Sequence, residues 1–181
     1  MRIAVSGAHD TGKTTLIDAL IGSLPRFSAV DEPYYQLEEE GHLFSEMPCI
    51  EDFELQLERA IKCILESDGD CLFDRCPFDI LAYLIAHDDS DGFDVDVWLP
   101  SVRDAMQCVD LVIFVPIEDP DRVTVSASEY RRLRRRVDQE LQEIVLEDRW
   151  TFGVPAIEVA GSPGERVRQV LAYLGGEAEP R

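Results

Sequence analysis

Eight residues near the start of the chain constrain its fold more than any other feature. They match the pattern G-x-x-x-x-G-K-[ST], in which glycines permit backbone conformations that let successive amides point at an anion. A strand-like apolar run, residues 3–5, precedes the motif, and a helix-like run, residues 15–20, follows it. The sequence therefore predicts a strand, a phosphate-binding loop and a helix whose N-terminus favours anions. The candidate nucleotide contacts are Gly7, Ala8, His9, Asp10, Thr11, Gly12, Lys13, Thr14 and Thr15.

Two side chains of the motif have the chemistry to bind a triphosphate. The ammonium of Lys13 is expected to reach the β- and γ-phosphates, and the hydroxyl of Thr14 is placed to ligate Mg²⁺. His9 and Asp10 occupy variable positions; either could contact a substrate or a metal, or both could be solvated. The motif thus predicts ATP and Mg²⁺ as cofactors.

The charge of the chain excludes one class of partner. Its 181 residues carry a formal net charge of −20, whereas general nucleic-acid binding depends on Lys and Arg that neutralise phosphates. Screening confines such an acidic field to about 8 Å at physiological ionic strength, so a local cluster of donors can still hold a nucleotide. We expect no nucleic-acid partner.

The N-terminus and the cysteines give two further expectations. The first residues run directly into a strand-like segment without a signal-peptide pattern, and no apolar run is long enough to span a membrane. We therefore expect a cytoplasmic protein with no membrane partner. The five cysteines form no C-x-x-C pair, and their number is odd. The sequence therefore predicts neither a disulfide framework nor a zinc site.

Short β-like runs alternate with helical patterns along the chain, which is typical of a mostly parallel sheet. Strands are predicted near residues 2–6, 28–31, 70–74, 110–115 and 156–159, and helices near 13–23, 51–66, 77–86, 96–107, 129–146 and 163–174. We expect one α/β domain over residues 1–181, a three-layer α/β/α sandwich around a five-stranded sheet. The apolar helix at 77–86 could pack in the core or against a second subunit, which leaves a homodimer open.

Three classes of nucleotide-binding protein are disfavoured by missing features. No N-K-x-D or T-K-x-D guanine signature follows a late strand, and no L-S-G-G-Q-like stretch marks a transporter ATPase. The chain is also too short for an AAA+ module that carries a helical lid domain. Small-molecule kinases remain.

Several motifs occur in an order found in one branch of the P-loop proteins. GAHDTGKTT is followed by DEP at 31–33, FDRCPFD at 73–79, an arginine-rich helix and VAGSPGER at 159–166. In this order the chain resembles the nucleoside and nucleotide kinases. It looks most like the deoxynucleoside and thymidylate kinases, the ribosylnicotinamide kinase module and small bacterial AAA-type ATP-binding proteins. The resemblance spans almost the whole chain and implies a P-loop kinase-like fold.

The resemblance implies roles for three residues at strand ends. Glu32 matches the glutamate that contacts the acceptor hydroxyl as a general base, although Asp31 and Glu32 could instead cap a helix. Asp74 matches the acid that holds Mg²⁺, and Arg75 matches an arginine that contacts phosphates or the acceptor. A surface ion pair is the alternative for Asp74 and Arg75. The serine that follows this arginine in the family is replaced here by Cys76.

Two further segments match the lid and the adenine-side loop of the family. Five arginines lie within residues 131–136, in a lid expected near 120–140, and Arg131 and Arg135 are the first candidates to contact the transferred phosphoryl group. A solvated helix face is the alternative. Gly161 and Ser162 lie in the loop that runs beside the adenine in related kinases, and a capped turn explains them equally well.

The leading hypothesis is an ATP-dependent phosphotransferase that acts on a small-molecule acceptor, with a nucleoside, nucleotide or related metabolite favoured. The alternative is an ATP-binding or ATP-hydrolysing regulatory protein that has no small-molecule acceptor. A third hypothesis is kinase-like modification of an antibiotic or toxin, which changes the acceptor rather than the chemistry.

Overall fold

The computed structural model of the chain describes residues 1–45, 49–87, 92–121 and 128–176, apart from the side chains of 128–130. Its strands are β1 (Arg2–Ser6), β2 (Ser28–Val30), β3 (Cys71–Asp74), β4 (Leu111–Phe114) and β5 (Ala156–Glu158). They form one parallel sheet in the order β2-β3-β1-β4-β5. The predicted parallel sheet is therefore confirmed.

The register of the sheet brings three strand ends together. Val5 of β1 pairs with Asp74 of β3, and Ser6 of β1 pairs with Phe114 of β4. The carboxyl ends of β1, β3 and β4 consequently lie side by side. In open parallel sheets this edge is where ligands bind, and the glycine-rich motif follows β1 directly.

The helices are α1 (Lys13–Ser23), α2 (Pro33–Glu39), α3 (Ile50–Glu66), α4 (Pro77–Ala86), α5 (Val95–Met106), α6 (Ser128–Leu141) and α7 (Pro163–Gly176). Helix α2 is not predicted by the sequence pattern, because it buries only Pro33 and Leu37. The chain continues beyond α6 as a π-helical turn, Gln142–Leu146, where the pattern predicts one unbroken helix. Within the described ranges, no helix is both long enough and apolar enough to cross a membrane.

Side chains of the strands alternate between two apolar clusters on the two faces of the sheet. Ala4, Phe73 and Val112 pack on the face covered by α3, α4, α5 and α6. Ile3 and Leu72 pack on the opposite face, which α1 and α7 cover. Strands that are buried on both faces read as continuous apolar runs, as these do. The predicted three-layer sandwich is confirmed.

Helix α4 lies inside the molecule. Every residue of α4 except Ile85 is buried. Its apolar faces therefore pack within the chain, so this helix gives no support to the homodimer that the sequence left open.

Candidate active site

The glycine-rich motif forms a loop, residues 7–14, that we call the phosphate loop. Gly7 adopts a φ of +154°, and a Cβ atom added there would collide with the Val115 carbonyl oxygen at the end of β4. Gly12 adopts a φ of +88° immediately before α1. Both positions therefore require glycine, one for close approach and one for a left-handed turn. The predicted strand, loop and helix are all present.

The ammonium group of Lys13 lies inside the phosphate loop. The side chain of Lys13 is buried, and its Nζ donates a hydrogen bond to the Ala8 carbonyl oxygen over 2.9 Å. Burial, together with the charge of Arg75, lowers the pKa of Lys13 to about 8, although several carboxylates oppose this shift. A desolvated ammonium gains more from a phosphate than an exposed one does, because water screens it less.

Thr14 and Asp74 form the candidate metal site. The Thr14 hydroxyl donates to Asp74 Oδ2 over 2.6 Å. The other oxygen, Oδ1, is buried and accepts no hydrogen bond from any described residue. Burial also raises the pKa of this carboxyl, which a bound cation would reverse. Mg²⁺ is commonly bound by one or two protein oxygens together with phosphate oxygens, so this pair fits Mg²⁺.

Arg75 connects the end of β3 to the phosphate loop. Its Nε lies 2.7 Å from Glu32 Oε1, and its Nη1 donates to the Gly7 carbonyl oxygen over 3.2 Å. Arg75 is buried and adopts a φ of +73°, a conformation that non-glycine residues adopt mainly where the surroundings enforce it. Asp79 accepts a hydrogen bond from the Gly7 amide over 2.9 Å and lies 3.7 Å from Arg75 Nη1. These contacts hold the start of the loop against β3 and α4.

Glu32 is the N-cap residue of α2 by position, but its side chain makes no capping hydrogen bond. Its carboxylate instead faces Arg75 at the 2.7 Å distance given above. The side chain of Glu32 therefore pairs with Arg75 instead of capping α2, and its role as a general base stays a prediction. Asp31 contributes its backbone carbonyl oxygen, which accepts a hydrogen bond from Gln36.

Two buried arginines that the sequence pattern does not single out donate hydrogen bonds to backbone carbonyl oxygens of the phosphate loop. Arg134 of α6 is 2% exposed; its Nε donates to the His9 carbonyl oxygen over 2.8 Å, and its Nη1 pairs with Asp121. Arg166 of α7 donates to the Thr11 carbonyl oxygen over 2.6 Å. These two contacts fix the positions of the His9 and Thr11 carbonyl oxygens within the loop.

The candidates chosen from the arginine-rich segment are exposed. Arg131 and Arg135 both lie on the surface of α6, and their contact with the transferred phosphoryl group stays a prediction. Part of the expected lid, residues 122–127, lies outside the described residues. One signal could have identified Arg134: it shares a helix face with Val137 and Leu141, three and seven residues later, and both of these are buried.

We expect Arg134→Ala to weaken both the fold and the phosphate loop. The substitution leaves Asp121 and the His9 carbonyl oxygen without a donor that they now have, so the free energy of unfolding should fall by about 1–3 kcal/mol. The matched change Arg135→Ala removes an exposed side chain and should alter the free energy of unfolding by less than about 0.5 kcal/mol. Urea denaturation measures both values; equal losses in the two variants would contradict the anchoring role of Arg134.

Two cavities lie on different sides of the phosphate loop. The smaller, about 180 Å³, is lined by loop residues and by the ends of β4 and α7; among its lining residues are Asp10, Thr11, Gly12, Thr15, Gly161 and Arg166. The larger, about 490 Å³, is lined by residues from several elements, including His9, Glu32, Tyr34, Tyr35, Arg75 and Tyr83. Since the adjacent residues His9 and Asp10 line different cavities, the loop separates them.

Two further predicted residues, His9 and Gly161, line different cavities. His9 lies in the larger one, where Tyr83 contacts its ring nitrogen Nδ1 over 2.9 Å, and burial lowers the pKa of its imidazole to about 4. Gly161 lines the smaller one, whereas the Ser162 hydroxyl donates to Glu165 at the start of α7 over 2.6 Å.

The sheet order and the phosphate loop define a P-loop protein with a nucleoside- and nucleotide-kinase-like fold. A family model described as an AAA domain matches residues 2–166, and the chain belongs to this family. Such AAA-type proteins are among the relatives that the sequence resemblance implies. No curated protein matches the sequence.

Solved structures of several kinases share the fold at low sequence identity. A deoxyadenosine kinase from M. mycoides is 15% identical with a TM-score of 0.69, over 98% of this chain and 100% of that one. A thymidylate kinase from Candida albicans is 16% identical with a TM-score of 0.65, over 97% and 91%. A shikimate kinase from Aquifex aeolicus is 17% identical with a TM-score of 0.57, over 98% of both chains. These likenesses show a common fold.

Proposed function

We propose that the protein transfers the γ-phosphoryl group of ATP to a hydroxyl group of a small molecule. One observation carries this proposal: the phosphate loop separates two cavities, which gives each of two substrates a site. A protein that only binds or hydrolyses ATP needs the smaller cavity but not the larger one. The larger cavity also contains Glu32, a carboxylate suited to accept the proton of an acceptor hydroxyl.

Each residue of the candidate site has a separate role in the proposed phosphoryl transfer. ATP, with its charge offset by Mg²⁺ at Thr14 and Asp74, supplies the phosphoryl group. The loop amides and Lys13 bind the β- and γ-phosphates, and Glu32 accepts the acceptor proton as the new oxygen–phosphorus bond replaces the bond to ADP. Arg75 holds Glu32 in place and adds positive charge beside the reacting centre. Catalysis then rests on position and electrostatics.

The smaller cavity is the proposed site for the base end of ATP. It lies beside residues 10–12 of the phosphate loop and is bounded by Gly161. Arg131 and Arg135 remain candidates to contact the transferred phosphoryl group from the lid, and Ser162 remains a candidate on the adenine side. We also propose that the chain works as one domain of this kinase-like type.

The test of this proposal is ATP consumption measured against a panel of acceptors. The panel contains nucleosides, nucleotides, ribosyl cofactor precursors and aminoglycosides, each assayed with Mg²⁺. We expect at least one of these compounds to raise ADP formation well above the rate with water alone and to appear as a phosphorylated product. A low rate that no acceptor changes, together with a conformational difference between the ATP and ADP states, would favour the regulatory alternative.

The lowered pKa of Lys13 predicts a proton linkage. With a pKa of about 8, Lys13 is largely neutral at pH 9 in the free protein, and the phosphates of bound ATP should raise this pKa. ATP binding should therefore take up a proton and weaken as the pH rises from 8 to 9.5. Calorimetry in two buffers of different ionisation enthalpy measures the uptake. Binding at pH 9 without proton uptake would contradict the assignment.

A further inference from the structure

The charges that line the larger cavity constrain what can enter it. Among its described lining residues, Glu32 and Asp52 are acidic, and Arg75 is the basic one. His9 adds no positive charge near neutral pH, because burial lowers its pKa to about 4. The remaining lining residues are aromatic, apolar or uncharged polar side chains. The described residues of the cavity wall therefore carry two carboxylates and one guanidinium, which leaves a net negative charge on this part of the wall.

The guanidinium of Arg75 is already engaged. It lies 2.7 Å from Glu32, donates to the Gly7 carbonyl oxygen and lies 3.7 Å from Asp79. Sites that select phosphates or carboxylates usually present an arginine fork or a helix N-terminus whose charge is not balanced by a neighbouring acid. An anionic group on the acceptor would have to compete with Glu32 for this one cation.

Asp52 has contacts that keep it a carboxylate on the cavity wall. It accepts a hydrogen bond from the Ser45 amide over 2.9 Å, and His42 Nε2 lies 3.2 Å from its other oxygen. Burial by itself raises the pKa of Asp52, but hydrogen bonds from Ser45, Cys49 and His42 outweigh it and leave the pKa below the ordinary value. Asp52 is therefore ionised at neutral pH and repels an anion that approaches through this side of the cavity.

We propose that the acceptor is an uncharged or cationic hydroxyl compound, without a phosphate or carboxylate group. Within the proposed function, on which this inference rests, the acidic wall selects a nucleoside-like acceptor over the corresponding monophosphate. Each negative charge about 8 Å from an acceptor anion, at an effective dielectric constant of about 40, weakens its binding by about fivefold. A phosphate dianion that faces the acidic wall is therefore disfavoured by one to two orders of magnitude.

The test compares each unphosphorylated compound with its own monophosphate at pH 8, with ATP and Mg²⁺ present. We expect kcat/KM for the unphosphorylated member to be larger by about 30-fold or more. A monophosphate that is phosphorylated equally well or better would overturn this inference while it supports the proposed phosphotransfer. If no acceptor of either kind is phosphorylated, the proposed function fails and this inference fails with it.

Two neighbouring carboxylates of α3 provide a matched pair of variants. Asp52→Asn removes one negative charge from the cavity wall and keeps the shape of the side chain. The ratio of the two kcat/KM values, unphosphorylated over monophosphate, should fall by about fivefold or more. Glu51→Gln removes a charge from an exposed position outside the cavity and should leave the ratio within about twofold. The same ratio in wild type and Asp52→Asn would show that wall charge does not select the acceptor.

Discussion

Replacing Lys13 by Met should abolish phosphoryl transfer and leave the protein folded. Removal of one pre-positioned donor to a developing charge typically lowers kcat by about 10²–10³-fold. Lys13 is also proposed to bind the phosphates of ATP before the reaction, so its loss should weaken ATP binding as well. The fold should tolerate the change because Lys13 is buried and its pKa is lowered from 10.5 to about 8. Below pH 8 the folded chain therefore holds a desolvated charge that the unfolded chain would expose to water, and Met removes that cost.

The control for this variant is Lys62→Met, which makes the same change on an exposed residue of α3. Titration with ATP and Mg²⁺ measures the affinity of each variant for ATP. We expect Lys62→Met to bind ATP as wild type does and Lys13→Met to bind it at least about 100-fold more weakly, because a desolvated cation that would face the phosphates is lost. Thermal unfolding of both variants should remain close to that of wild type. Normal ATP binding by a folded Lys13→Met protein would remove the phosphate loop from the mechanism, and the remaining assignments would lose their support.

Replacing Glu32 by Gln should separate chemistry from ATP binding. The amide keeps the shape of the side chain but cannot accept the proton of the acceptor, so kcat for acceptor phosphorylation should fall by about 10²–10⁴-fold. Affinity for ATP should change by less than about twofold, because Glu32 lines the larger cavity and not the smaller one. Arg75 retains its contacts with Asp79 and the Gly7 carbonyl oxygen, so we expect the variant to fold.

Glu39→Gln provides the matched control, since Glu39 is exposed on the same short helix. Single-turnover assays with saturating ATP measure the chemical step, and a separate ATP titration measures binding. Acceptor phosphorylation at the wild-type rate in Glu32→Gln would assign proton acceptance to another group. A parallel loss of ATP affinity would instead indicate that Glu32 acts through the phosphate loop.

Local patterns were enough to predict most secondary structure. Strands buried on both faces appear as short apolar runs, as β1, β3 and β4 do. The predicted bounds of all five strands, including the less buried β2 and β5, agree with the structure to within one residue at each end. Helix α4 was predicted with its observed bounds, because an apolar run after Pro77 ends at a change to polar residues. Helix α2 was missed, since its seven residues are too few to show a helical period.

The geometry of the candidate site is predictable where a motif ties residue type to backbone conformation. The spacing of Gly7, Gly12 and Lys13 defines the phosphate loop, because only glycine meets the local backbone demands. Thr14 and Asp74, 60 residues apart, meet at a 2.6 Å hydrogen bond, as expected for side chains at adjacent strand ends. Motif order alone could not show that Glu32 and Arg75 form an ion pair.

The sequence by itself determined the layers of the fold, the phosphate loop and the carboxylates at the ends of β2 and β3, since each of these depends on residues close together in the chain. Tertiary structure decided which arginine meets the loop: Arg134 and Asp10 are separated by 124 positions, yet a side-chain nitrogen of one contacts the carbonyl oxygen of the other. It also decided the sign of the charge on the larger cavity, whose walls come from α2, α3, α4 and α6. Helix periodicity assigns residues to faces, but only packing decides which face of α6 meets the loop.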